Sequence, residues 1–351
     1  MIPVYLLTDY KHFIGSKWMA SPYRSGLDQS LLAECFARHG MTVEYVPLAD
    51  VFAGVKAWRG RIALYTSSEE FGDHYKKYIE DVVYGLEEAG AHVLPRAAFL
   101  RAHNNKVFME ILRDQLLGEE LTGLRSRVFG TLEEVRTALD GNELPLPCVI
   151  KSSLGAMSRG VELARTPAEV LDKAGRLSRS PHRWYELRDF LRAKKIPGYR
   201  RESRHQNRII IQPLVPGLDA DWKVLVYGDQ YYALKRGVRP GDFRASGSGS
   251  DYLAGRSSGI PENVLSFVEQ LYDKLDVPHL SADVAFDGKR SYLLEFQALY
   301  FGTATHCWCE EYYAREQGSW TLRKKSMDQE EVFAWGVARY LDRHPEFVSP
   351  R

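Results

Sequence analysis

An α/β fold built from more than one domain is predicted by three observations. Strand-like and helix-like segments alternate over the first hundred residues, and such alternation implies a small parallel layer. At 351 residues the chain exceeds what one hydrophobic core supports, so two or three domains are expected. Near its end, two apolar strands each carry an acidic side chain, and an unpaired carboxylate is costly to bury.

The elements follow from local signals. Strands are read at 4–8, 42–47, 61–66 and 92–94, and helices at 25–39, stopped by Gly40, and at 75–89, ended by Gly90. Helical spacing returns at 108–117. It returns again at 132–139, where Thr131 is the N-cap and Glu133 and Glu134 suit the first turn. A strand ending at Lys151 opens a small-residue loop, Ser152-Ser-Leu-Gly155-Ala-Met-Ser158-Arg-Gly160, before a strand at 161–164 and a helix at 167–173. Residues 176–208 are polar and dense in Arg and Lys, with Trp184, Tyr185 and Tyr199 interleaved. Strands at 209–212, 222–227 and 230–236 follow, the last two joined by a Gly228-Asp229 turn. A Gly/Ser loop at 245–250, an amphipathic helix at 262–275, the acidic strand pair and a closing helix at 328–343 complete the chain, which has no internal repeat. Domains are expected at 1–100, 101–208 with a basic insertion at 176–208, and 209–351.

Composition narrows the function. A formal net charge of +1 argues against a nucleic-acid partner. No apolar run is long enough to span a bilayer, and Met1-Ile-Pro-Val-Tyr-Leu-Leu-Thr-Asp lacks a signal-peptide pattern. Four scattered cysteines make no disulfide framework, so reduced thiols in a cytoplasm are the expectation. His306-Cys307-Trp308-Cys309 is too tight for a zinc finger and has no second ligand pair. No Gly-x-Gly-x-x-Gly follows the first strand, and no Walker-type Gly-Lys-Ser/Thr occurs.

The acidic strands are Ser281-Ala-Asp283-Val-Ala-Phe and Tyr292-Leu-Leu-Glu295-Phe-Gln297. Period-two alternation sends Glu295 and Gln297 to one face. Two readings stand: an oxygen-rich site for Mg²⁺ with nucleotide phosphates, or buried acids paired to Lys or Arg. Lys151 similarly is either an ammonium beside a phosphate-approaching loop with Gly155 and Gly160, or a surface lysine at a turn. Lys106 opens a helix. On the first domain, Lys17, Tyr23, Arg24 and the segment Tyr65-Thr-Ser-Ser-Glu69 follow strand ends, where ligands gather in α/β layers; they are either substrate contacts or solvent-exposed loop.

The succession is more specific than its parts. Asn105-Lys106, Lys151 with its loop, Ile210-Ile-Gln212-Pro-Leu214-Val215-Pro-Gly217, Asp221-Trp-Lys223, Lys235-Arg236, Gly241-Asp-Phe-Arg244, Asp283 and Glu295-Phe-Gln297 occur in that order. This order resembles the ATP-grasp superfamily, especially the ribosomal-protein glutamate ligase and the glutathione synthetase-like carboxylate–amine ligases, over about residues 100 to 305. The resemblance implies an α+β ATP-grasp body after an N-terminal parallel α/β domain, two lobes clamping the nucleotide. It implies that Lys106 and Lys151 contact ATP phosphates, and that Ser153, Gly155, Ser158 and Gly160 belong to a loop folding over them. Gln212, Leu214 and Val215 match the adenine-reading hinge, and Asp219 or Asp221 lies near the ribose. Arg236, Arg244 and Lys223 hold the transferred phosphoryl group or the acid, and Asp283, Glu295 and Gln297 bind one or two Mg²⁺, with Mn²⁺ a substitute.

Four positions depart from the family's pattern. Gln212 replaces the usual Glu, Lys223 the Arg of Asp-x-Arg, Gln297 the metal-binding Asn, and Ser246 the Asn after Gly-Asp-Phe-Arg. Lys223 is therefore a point charge and not a bidentate fork.

The implied chemistry is amide formation from a carboxylate and an amine through an acyl phosphate, releasing ADP and phosphate, with the loops at 153–160 and 245–250 as lids against water. The alternatives are a kinase acting on a small-molecule hydroxyl, and a nucleotide-binding protein recognising a polyanion through 176–208. That segment reads as a solvated insertion, as a site for an anionic small substrate such as a sugar nucleotide or lipid-linked glycan, or as a nucleic-acid contact. Dimers are common among such ligases, so a homodimer is also implied.

Overall fold

The computed structural model describes every residue except 16, 18–25, 154–159, 181, 239–242, 244–250 and 349–351. The N-terminal domain runs β1 (Ile2–Thr8), α1 (Gln29–Arg38), β2 (Met41–Pro47), α2 (Leu48–Val51), β3 (Ile62–Tyr65), α3 (His74–Glu88), β4 (His92–Leu94) and α4 (Ala97–Ala102). Its four strands are parallel in the order β2-β1-β3-β4, the layer that the alternation predicts. Alternation along β1 splits the core. Val4 and Leu6 pack with Leu32, Cys35 and Phe36 of α1, while Leu7 joins the cluster on the opposite face. Asp28 caps α1 by accepting from Leu31 N at 2.9 Å, so the helix starts four residues later than its spacing suggests.

The middle lobe follows through α5 (Lys106–Leu116), α6 (Gly118–Thr122), β5 (Arg127–Phe129), α7 (Leu132–Asp140), β6 (Cys148–Ser152), β7 (Val161–Ala164), α8 (Pro167–Ser178), α9 (Arg183–Lys195) and β8 (Ile209–Pro213). Its antiparallel sheet, order β5-β8-β6-β7, carries α7 and α8 on one face. Thr131 and Glu134 form a capping box at the start of α7. β8 pairs with both β5 and β6, so it belongs to this lobe and the chain leaves the lobe after 213 rather than at 208. The all-apolar run Ile209-Ile-Ile drives this, since only a central strand buries both of its faces.

The C-terminal lobe holds β9 (Ala220–Tyr227), β10 (Gln230–Gly237), β11 (Tyr252–Ala254), α10 (Glu262–Leu275), β12 (His279–Phe286), β13 (Ser291–Gln297), α11 (Ala304–Trp308), β14 (Glu311–Glu316), β15 (Ser319–Lys324) and α12 (Gln329–Arg343). The sheet order is β13-β12-β9-β10-β14-β15, with β11 on the side of β10. Gly228 turns β9 into β10 at φ +61°, a backbone conformation glycine adopts without a Cβ clash.

α12 does not stay with this lobe. Its Ala334, Val337, Tyr340 and Leu341 complete the core beside β1 and α1, while Gly336 lies against the start of β12. A Cβ at Gly336 would sit 2.5 Å from the His279 ring, so glycine permits the close approach. His279 is buried there, donating from Nε2 to the Phe333 carbonyl at 2.9 Å.

Burial lowers His279 from its ordinary 6.5 to about 4. The unfolded chain therefore binds a proton that the folded chain refuses between those values, and stability falls as pH drops from 6.5 toward 4. Urea titrations at pH 7, 6 and 5 should show a loss of about 2 kcal/mol from this one group by pH 5. His279→Gln, which keeps an amide donor but does not titrate, should flatten the profile by that amount; an unchanged slope would reject the assignment.

Candidate active site

Alternation builds one polar face on the C-terminal sheet. Trp222, Val224, Val226, Ala233, Ala282, Val284 and Phe296 point to the core under α10. Register then places Asp221 opposite Arg236, Lys223 opposite Asp283, and Asp283 opposite Glu295, all on the other side. A bulge between Asp283 and Val284 brings Leu293, not Leu294, opposite Val284.

Four charges on this face neutralise one another. Arg236 donates from Nε to Asp221 Oδ1 at 2.6 Å and from Nη2 to Asp221 Oδ2 at 2.7 Å, and Nη2 also lies 2.9 Å from Asp283 Oδ2. Lys223 Nζ stands 3.3 Å from Asp283 Oδ1 and donates to Ser281 Oγ at 2.8 Å. Burial opposes ionisation of Asp283, but Arg236 and Lys223 outweigh it and hold the carboxyl at about 2. For Asp221, burial is the larger effect and raises it to about 6 despite Arg236. Arg236 stays protonated: its two carboxylates more than offset burial. Asp283 is thus ion-paired to both Arg236 and Lys223. Glu295 and Gln297, by contrast, take no hydrogen bond from any described residue and face a cleft of about 360 Å³ of empty volume, part of it open to solvent.

The middle lobe supplies the facing wall. Cys148, Ile150, Ile209 and Ile211 point to its core, so Val149, Lys151, Ile210 and Gln212 point the other way. Burial lowers the Lys151 ammonium, while Glu110 and Glu295 pull it back up. Lys151 on one lobe and Glu295 on the other therefore interact across the cleft. Lys106, at the first turn of α5, shares the cleft with Glu295, and its backbone N–H donates to the Ser153 carbonyl at 3.0 Å. Gly160 closes the other end of the loop by accepting from Ser152 N at 2.8 Å.

Gln212 has a second commitment. Its Nε2 donates to Glu110 Oε1 at 3.1 Å and to Ser126 Oγ at 2.6 Å. Arg113 pairs with Glu110, donates to Ser126 Oγ at 2.6 Å, and reaches the Leu293 carbonyl at 3.2 Å. Leu214 N donates to the Pro147 carbonyl at 3.2 Å, and Val215 is buried beside it. Asp221 is committed to Arg236, whereas Asp219 is exposed at the start of the same strand.

Sequence reasoning did not find Glu110, Arg113, Ser126 or His103. Glu110 and Arg113 sit among Met109 and Leu112 on the buried stripe of α5, and a charged pair on an apolar stripe was the available signal. His103 carried none. It is buried, with Nδ1 2.9 Å from Ser67 Oγ and Nε2 3.3 Å from Glu69, and Glu69 also pairs with Lys17 at 2.6 Å. Burial lowers His103. Lys17 and Glu69 line the same cleft as Glu295, so the N-terminal domain closes one end of it. Gly155, Ser158, Arg244, Tyr23 and Arg24, and most of both expected lids, lie outside the described residues.

Neither a protein-family model nor a curated protein matches the sequence. Solved structures do match. D-cycloserine synthetase DcsG aligns over 97% of this chain and 99% of its own, at 14% identity and a TM-score of 0.53. A D-alanine–D-alanine ligase from Bacillus anthracis aligns over 99% of each chain, at 12% identity and 0.51. A Chryseobacterium gregarium RiPP-associated ATP-grasp ligase, in complex with ADP and a leader and core peptide, aligns over 100% and 98%, at 11% identity and 0.52. At these identities the likeness is one of fold, and the fold is ATP-grasp.

The buried network makes an asymmetric prediction. Glu110→Ala strands the Arg113 charge and should cost about 3–5 kcal/mol, whereas Glu110→Leu with Arg113→Met removes both charges and should cost far less. Urea midpoints of the two variants test it; equal losses would mean that the ion pair is not what holds α5.

Proposed function

We propose that the protein is an ATP-dependent carboxylate–amine ligase that forms an amide through an acyl phosphate. The observation that carries this reading is the cleft itself. Lys106, Glu295 and Gln297 line it at the junction of two lobes, with Lys17 and Glu69 of the N-terminal domain at its end, and Lys151 lies within electrostatic reach of Glu295. Two ammonium groups suit the triphosphate. The Glu295 carboxylate and the Gln297 amide oxygen, which accept no hydrogen bond from a described residue and lie next to ionised Asp283, are hard donors of the kind Mg²⁺ prefers. Among the described residues no three His, Cys, Asp or Glu side chains converge on one point, so such an ion would draw further ligands from phosphates and water. When bound, Mg²⁺, or Mn²⁺ in its place, neutralises charge on the transferring phosphoryl group.

The chain's own residues do the rest. The backbone at Leu214 and Val215 follows Gln212, whose side chain anchors the hinge to α5, and would read the adenine edge, with exposed Asp219 near the ribose. Ser153, Gly155, Ser158 and Gly160 would cover the phosphates. Arg236 is held by Asp221 through Nε and Nη2, leaving Nη1 for a phosphoryl or carboxylate oxygen, with Lys223 beside it and Arg244 on the 239–250 segment. The substrate carboxylate attacks the γ-phosphorus as the bond to the bridging oxygen breaks and ADP leaves. An amine then attacks the acyl carbon, loses a proton and expels phosphate. Preorganised cations lower both barriers, since they cost no reorganisation as charge moves.

A phosphate-release screen of acids crossed with amines tests the assignment. ADP and phosphate should appear in equal amounts, and only with both substrates present; ADP with a stable phosphorylated product would instead indicate a kinase. Glu295→Ala should lower turnover by about 10²–10³-fold, and Lys151→Ala should weaken ATP binding. Full turnover in Glu295→Ala would remove that residue from the site.

A further inference from the structure

No residue of the basic segment 176–208 lines the cleft, and only its last residue, Arg208, reaches a lining residue, donating to Asn105 Oδ1 at 3.4 Å. It holds 11 Lys and Arg against three Asp and Glu, in a chain whose net charge is only +1. Its helix α9 belongs to none of the four hydrophobic clusters. Two acids anchor it. Asp189 is buried and accepts from the Tyr199 hydroxyl at 2.7 Å and Arg201 Nε at 3.1 Å, while Glu186 pairs with Arg179 and Arg204 at 3.2 and 3.3 Å. At 100° per residue both acids share the inner side of the helix.

The outer side is of a different character. Trp184, Leu187 and Leu191 recur at i, i+3 and i+7 and are 85%, 49% and 47% exposed. Arg188 and Lys195 flank this stripe on one edge and Lys194 on the other, all exposed, and no acid lies among them. A contiguous exposed apolar stripe marks an interaction surface. A second copy of the chain would bring like charges face to face. An acidic peptide needs a groove, and no residue of α9 lines either the cleft at Glu295 or the pocket at Tyr227. A flat anionic bilayer fits: the apolar stripe enters the interface, Trp184 sits at headgroup depth, and the flanking cations meet phosphates.

We propose that α9 docks the protein peripherally on an anionic lipid surface. Ser203 ties the segment to Glu133 of α7 at 2.7 Å, and His205 Nδ1 lies 2.9 Å from the Gly175 carbonyl of α8. The contact is therefore on the helix side of the middle lobe, away from the sheet face that carries Lys151 and Gln212. Among the described residues no helix is long and apolar enough to cross a membrane.

Vesicle flotation of the full chain tests the proposal. The protein should float with an equal mixture of phosphatidylcholine and phosphatidylglycerol at low salt, stay down with phosphatidylcholine alone, and be released at high salt. Arg188→Glu with Lys195→Glu should lower vesicle affinity by about tenfold or more, and Leu187→Ser with Leu191→Ser should also lower it, both with unchanged thermal melts because these positions are exposed. Failure to float with anionic vesicles, equal flotation with neutral ones, or indifference to both double variants would each overturn it. Retention by single-stranded RNA or an acidic polypeptide without flotation would do so too, by assigning the face to another partner.

Discussion

Everything on the polar face of the large sheet depends on Arg236 lying between Asp221 and Asp283. A sheet with a core on one side tolerates charge on the other only if each charge is compensated. Arg236 satisfies two carboxylates at once, and its fork fits Asp221 with two parallel bonds, a geometry a lysine could not supply. Lys223 then needs to reach only the remaining oxygen of Asp283. The quartet is close to neutral, and Glu295 is the acid of this face that accepts no hydrogen bond from a described residue.

The cleft exists because two other interactions fix the lobes around that face. α5 joins them: Glu110 and Arg113 connect Gln212 of β8 to the Leu293 carbonyl of β13, so a central strand of one lobe and the acidic strand of the other are bolted to one helix. α12 fixes the third body by passing from the large sheet at His279 to the core of the N-terminal layer. Lys106 at the start of α5 is positioned by the same helix that carries the bolt. Positioning and stability are therefore coupled here, and substitutions in the network should disturb the Lys106 end of the cleft as well as the fold.

Much of this was legible in the sequence. The parallel layer, the acidic strand pair and the common face of Glu295 and Gln297 follow from alternation alone. What periodicity could not say is which strands become neighbours. Asp283 reads equally as a metal ligand or an ion-pair acid until β9 and β10 are known to lie beside it with Lys223 and Arg236. The hairpin of β14 and β15 escaped notice because its Tyr, Arg and Trp side chains are half-exposed and alternate weakly. α9 escaped because its apolar residues face outward and no core period betrays it. His103 had no local signal: its partners, Ser67 and Glu69, come from a different strand end.

The charge balance of the cleft bears on Gln297. Once Asp221 and Asp283 are matched by Arg236 and Lys223, Glu295 remains against Lys106 and Lys151. On the ligase reading these two ammonium groups favour an anionic ligand such as a triphosphate. A nucleotide that already carries its metal is still an anion, so on the ligase reading ion and phosphates are favoured together and neither needs a preformed cage. On that reading a carboxylate at position 297 would strengthen metal binding at the expense of the phosphates, whereas an amide adds an oxygen without adding charge. On the ligase reading Gln297 would supply that oxygen as an Asn would, from a stem one methylene longer on the face it shares with Glu295.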